Sequence, residues 1–185
     1  MKSFFVFIWE IAKIIIIALI IVLPIRSIVF QPFFVKGDSM TPNFENGDYL
    51  IVDEISYKIR DPQRGEVIVF KYPNDISQRY IKRIIGLPGE TVQVENGQIA
   101  VYNEEGGKIL EESEYLSSSV YTPGDTRITL GENEYFVLGD NRTASSDSRR
   151  WGPLPKEDII GRALIRAWPL AALAKIEVPE YSSGY

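Results

Sequence analysis

The 185-residue chain contains neither histidine nor cysteine. Without cysteine there are no disulfides, no thiolate nucleophiles and no thiolate metal ligands. Without histidine the usual imidazole base is gone, and with it any Ser–His–Asp arrangement. The common zinc sites are excluded, and only carboxylate sites for Mg²⁺ or Ca²⁺ remain open; no metal and no cofactor is expected. A basic block is also lacking: 20 Lys and Arg stand against 25 Asp and Glu, a formal charge of −5. The first thirty residues carry Lys2, Lys13 and Arg26 against Glu10, which leaves 17 basic and 24 acidic side chains, or −7, in the remainder. Nucleic acid, held by surfaces that neutralise phosphates, is therefore not an expected partner.

One long apolar run stands against these absences. From Phe4 to Phe30 the chain is dominated by Ile, Val, Leu and Phe, including Ile14-Ile15-Ile16-Ile17. About 20 residues rising ~1.5 Å each cross ~30 Å of hydrocarbon, so Ile11 to Phe30 is expected to form a single transmembrane helix. Trp9 and Lys13 fall near one interface, Arg26 snorkels toward the other, and Pro24 sits near the far end, where a kink is tolerated. Pro24 to Phe30 offers no small-x-small cleavage site, so a removable leader is not expected. A buried soluble helix is the alternative. Positive charges flank both ends and do not orient the helix.

After Phe30 short apolar runs alternate with turn residues, which is strand punctuation. Tyr49–Val52, Glu66–Tyr72, Arg79–Ile85, Thr91–Val94, Gln98–Tyr102, Arg127–Leu130 and Glu134–Leu138 read as strands. Asn96-Gly97 marks a hairpin, because both residues accept positive φ. Residues 103–126, rich in Glu, Ser and Gly, read as a mobile acidic insertion. The fold class expected is mainly β: an antiparallel sheet domain over residues 31–185, interrupted by the acidic loop and preceded by the anchor of residues 1–30. Gln31-Pro32-Phe33-Phe34 and Trp168 to Leu173 are two further apolar stretches. Either could lie on a bilayer, and the second is expected to be core.

Ser39 lies just beyond the apolar run, in Gly37-Asp38-Ser39-Met40. A serine hydroxyl is a poor nucleophile until a base takes its proton, and with no histidine present a lysine is the leading candidate. Lys82 sits in the strand-like run Arg79 to Ile85, where Tyr80, Lys82 and Ile84 share a face. On charge and periodicity alone it reads as an ordinary exposed strand lysine. An apolar wall would instead lower its pKa from about 10.4 and make it a base near neutral pH.

Four segments, VKGDSMTP at 35–42, RGEVIVFKYP at 64–73, RYIKRIIGLPGE at 79–90 and GDNRTASSDSRRWG at 139–152, together resemble the bacterial type I signal peptidases. These are membrane-bound serine proteases with a Ser–Lys dyad. The resemblance implies that Ser39 is the nucleophile and Lys82 the general base, with the Ser145 hydroxyl orienting the lysine amine. Asp147 and Arg149 match a structural pair, and Asp140, Asn141 and Arg142 match further supporting positions. By position, Val35, Met40, Phe44, Tyr80 and Ile81 are candidate substrate-pocket walls, with ordinary β core as the alternative. The substrate implied is the signal peptide of exported preproteins, cut after a small-x-small motif, by an enzyme held in the lipid bilayer of the cell membrane with its catalytic domain outside the cytoplasm. Some members carry a serine two positions before the nucleophile as a second oxyanion donor; Gly37 stands there in this chain and leaves that donor unidentified. A self-cleaving repressor shares a Ser–Lys core but lacks a membrane helix, and a GDS-type lipase requires histidine. A membrane-tethered β module without catalysis is the non-enzymatic alternative.

Overall fold

Alternating apolar residues between turn signals build a chain of antiparallel strands, which the computed structural model describes for residues 2–28, 30–179 and 181, apart from the side chains of residues 2, 3, 5 and 21–31. Helix α1 (Lys2–Ile28) leads into β1 (Phe30–Phe34), β2 (Tyr49–Asp53), β3 (Val67–Tyr72), β4 (Asp75–Gly86), β5 (Thr91–Glu95) and β6 (Gln98–Asn103). Then come β7 (Gly106–Ile109), β8 (Thr126–Thr129), β9 (Glu134–Leu138), the single turn α2 (Ser148–Trp151), β10 (Leu154–Pro155), β11 (Ile159–Trp168) and β12 (Ala174–Lys175). The larger sheet runs β1-β2-β11-β3-β4-β9-β10, with β12 on β11, and the smaller runs β7-β6-β5-β8. Asn96 and Gly97 turn the β5–β6 hairpin at φ 51° and 81°, as the two left-handed positions of that tight turn require.

Strand β3 shows how the core is divided. Its side chains alternate, so Val67 and Val69 face one cluster with Val35, Met40, Phe44 and Ile81. Ile68 and Phe70 face another with Ile84, Tyr135 and Leu154. A third cluster, including Ile85, Val92, Val101 and Phe136, joins the two sheets. Each expected strand is present with slightly different ends. Strand β11 was not expected, and its pairings explain why: register shifts at Ile159/Gly161, Ala163/Ile165 and Arg166/Trp168 break the period-2 pattern. Its Arg162 and Arg166 also disguise it, although they are neutralised by Asp53 and Asp48.

Two expectations need correction, and a third lies partly outside the described residues. Among the described residues no helix is long and apolar enough to cross a membrane; the expected span, Ile11 to Phe30, runs on over residues whose side chains lie outside the description. Trp168, Leu170 and Leu173 are not core: each is more than half exposed, because the chain leaves the sheet at Trp168 and only β12 returns. The acidic segment is not a free loop either. Its β7 pairs with β6, and Leu110, Leu116 and Thr122 are buried.

Phe136 is fully buried at the junction of the two sheets. Phe136→Ala should cost about 3–5 kcal/mol in denaturant unfolding. Ile76→Ala, at an exposed site at the start of β4, should stay within about 0.5 kcal/mol.

Candidate active site

Ser39 sits in the turn that follows β1, entered through Gly37 at φ +82°. The turn is pinned from across the fold by Asn141. Its backbone N–H donates to the Ser39 carbonyl at 3.1 Å, and its Nδ2 donates to the Asp38 carbonyl and Thr41 Oγ1, each at 3.0 Å. Gly139 passes so close that a Cβ added there would collide with the Ser39 carbonyl oxygen and Ser145 Oγ. Only glycine permits that approach.

Lys82 comes from β4, opposite Ile68 of β3, at the position just before β9 begins to pair with β4 at Arg83. It is 3 % exposed. Its Nζ lies 2.7 Å from Ser39 Oγ and donates to the Ile81 carbonyl, also at 2.7 Å. Burial lowers its pKa to about 8, opposed by the nearby Asp147 and Asp140 carboxylates. Both carboxylates are already committed to guanidinium groups. Arg149 grips Asp147 through Nε and NH2 at 2.8 and 2.7 Å, and Arg83 grips Asp140 through the same pair of atoms at 2.9 and 2.7 Å. Fork-to-fork pairing of this kind holds both geometry and charge.

Ser145 departs from expectation. Its Oγ is buried, yet it has no hydrogen-bond partner among the described residues, the lysine amine included. The Ile81 carbonyl takes the orienting bond instead. A backbone acceptor leaves no signature in side-chain sequence, so that role could not be foreseen. A neutral amine that donates one N–H to Ile81 keeps its lone pair for the serine proton 2.7 Å away. This arrangement can deprotonate an alcohol.

Beside the pair opens a cleft of about 720 Å³, with Val52, Val69 and Ile160 on its apolar walls and Lys36, Glu54 and Arg79 also lining it. Tyr80 and Ile81, two of the candidate pocket residues, line it. Val35, Met40 and Phe44 do not: they are buried in the cluster that also holds Ile81. Asp140 and Asp147 are buried near Lys82, each held in its ion pair. Among the described residues no cluster of three or more His, Cys, Asp or Glu could hold a metal ion.

Comparison with known proteins adds to this geometry. The family model described as signal peptidase, peptidase S26, matches residues 8–168. A probable signal peptidase I-1 from Synechocystis is 41 % identical over 170 residues, covering 88 % of this chain and 84 % of its own. A probable signal peptidase I-2 from the same organism is 38 % identical over 166 residues, covering 87 % and 73 %. A crystal structure of a signal peptidase I from Enterococcus faecalis aligns with 56 % of this chain and 97 % of its own, at 32 % identity and a TM-score of 0.46.

A buried lysine with a lowered pKa weakens the fold. Between about pH 8 and its unfolded value near 10.5 the unfolded chain binds more protons, so stability rises with pH across that window. Below it, Lys82→Met should raise stability by about 2 kcal/mol once lost hydrogen bonds are offset, with the gain shrinking as pH climbs through the window. Denaturant titrations at pH 7 and pH 10 read both values.

Proposed function

This chain belongs to the signal peptidase family, peptidase S26, and is an enzyme of the signal peptidase I kind; we propose that Ser39 is its nucleophile and Lys82 its general base. The observation that carries this reading is the 2.7 Å approach of the two groups with the amine almost wholly shielded from water. A binding module has no use for an amine held dry beside an alcohol, whereas a serine nucleophile needs an uncharged base at that place.

The uncharged Lys82 amine takes the Ser39 proton as Oγ attacks the scissile carbonyl. The backbone N–H of Ser39 faces the developing oxyanion. The resulting ammonium returns its proton to the leaving amine, which departs with the mature protein. Water, deprotonated by the same lysine, then releases the signal peptide and restores Ser39. The Ser145 hydroxyl, without a partner at rest among the described residues, accepts a bond from the ammonium while it carries the extra proton. Gly37 offers no second oxyanion side chain.

The substrate adds as a strand to β4, whose residues before Arg83 are not paired with β9. Alternate side chains of that strand then enter the cleft, and the apolar walls admit small residues at the minus-one and minus-three positions. Helix α1 presents apolar side chains on nearly every described side, including Phe7, Trp9, Ile14 and Ile17. Its cover is the lipid bilayer, with the catalytic domain on the extracytoplasmic face, where preproteins emerge. Phe34, Trp168 and Leu170, all exposed, give the domain an apolar surface toward the same bilayer.

Ser39→Ala and Lys82→Met should each lower cleavage of a preprotein bearing an Ala-x-Ala site by at least about a thousandfold, in chains that remain folded by circular dichroism. Because only the uncharged amine accepts a proton, kcat/KM should rise with pH through about 8. Cleavage surviving in either variant overturns the dyad.

A further inference from the structure

The segment between β7 and β8 is an acidic feature that the proposed chemistry leaves unused. Its Glu112 meets the guanidinium of Arg142 end-on, with Oε1–Nη2 and Oε2–Nη1 both at 2.6 Å. The Arg142 side chain is wholly buried and that of Glu112 is 15 % exposed. The same guanidinium donates to Thr122 Oγ1 at 2.7 Å and, through Nε, to the Gly139 carbonyl at 3.1 Å. Gly139 to Asn141 is the stretch that abuts Ser145 and donates to the Ser39 carbonyl.

The segment reaches the nucleophile turn directly as well. The Tyr115 hydroxyl donates to Glu112. The Tyr115 carbonyl accepts from Asn43 Nδ2 at 2.9 Å, and that amide also donates to Asp140 at 2.8 Å. The Tyr115 ring lies under Arg83, whose guanidinium carbon is 4.0 Å from the ring centroid. Pro123, at the far end of the segment, accepts from Arg149, which donates in turn to the Arg142 carbonyl. One short stretch of chain therefore touches Asn43 in the nucleophile turn, Arg142 next to the Asn141 that holds Ser39, and Arg83 beside Lys82.

We propose that this acidic segment is a strap that positions the nucleophile turn, and that Glu112 is its anchoring residue. Glu112 touches neither reacting atom. It acts through Arg142, which fixes the Gly139 carbonyl and so the Asn141 N–H that holds Ser39. The charge is essential to the anchor. A wholly buried guanidinium must be paired, and a carboxylate that meets both of its terminal nitrogens also fixes its orientation. A displacement of Ser39 by a fraction of an ångström reaches the chemistry directly, because attack requires a near-attack geometry.

The inference rests on the assignment of Ser39 and Lys82 as the reacting pair. Its test uses the full-length chain in detergent and a preprotein with an Ala-x-Ala site. Glu112→Asp keeps the charge on Arg142 but falls one methylene short. Glu112→Gln keeps the reach and loses the charge. Both should lower kcat by about ten- to a hundredfold with KM within about twofold, at temperatures well below each variant's thermal midpoint. Tyr115→Phe, which removes one bond to Glu112 and leaves the ring on Arg83, should fold normally and lose less. Wild-type kcat in Glu112→Asp, or a lowered thermal midpoint with kcat intact in Glu112→Gln, overturns the strap and leaves only a structural ion pair. Retained cleavage in Ser39→Ala would instead strike the dyad itself, so the two failures are separable.

Discussion

The arrangement turns on an amine kept away from water. Lys82 is almost completely buried and lies 2.7 Å from a serine hydroxyl. Removing an ammonium from solvent is costly, and here the cost appears as a pKa lowered to about 8. The same displacement that weakens the fold makes the group usable as a base near neutral pH. Much of the surrounding structure serves to keep the amine dry and aimed. The apolar clusters around β3 and β4 exclude water, the Ile81 carbonyl fixes the direction of the amine, and two arginines occupy the carboxylates that would otherwise restore its charge.

That protection is assembled from distant parts of the chain. Ser39 lies before β2, Lys82 inside β4, and the Asp140–Arg149 region after β9. They meet because β3, β4 and β9 are neighbours in one sheet, and because Gly139 lets two backbone segments touch. The cross-links among them are charged and bidentate, such as Arg83–Asp140, Arg149–Asp147 and Arg142–Glu112. Buried pairs of this kind add little net stability, but breaking one leaves an isolated charge and is strongly destabilising. Their contribution here is geometric definition around a strained electrostatic state.

Much of this was legible beforehand. Period-2 runs and turn residues marked seven strands, and the Asn96-Gly97 hairpin followed from the φ angles those residues tolerate. The missing histidine directed attention to a lysine beside Ser39. The features that escaped share a cause: they depend on what lies opposite. Strand β11 hides behind bulges and two arginines that are neutralised only by Asp53 and Asp48. Val35, Met40 and Phe44, adjacent to Ser39 in sequence, turn inward as core. Glu112 looks like any other glutamate of an acidic stretch until Arg142 is seen to meet it.

By itself, then, the order of residues determined the chemical repertoire: no imidazole, no thiol, a serine behind an apolar helix, and β-forming runs to carry a lysine. Those are local properties of composition and period. Whether Lys82 is charged, which carbonyl aims it, which residues form the cleft and which acidic side chain meets Arg142 were decided only by tertiary structure. Solvent exclusion and the pairing of charges depend on neighbours that are remote along the chain and become adjacent only when the sheets close.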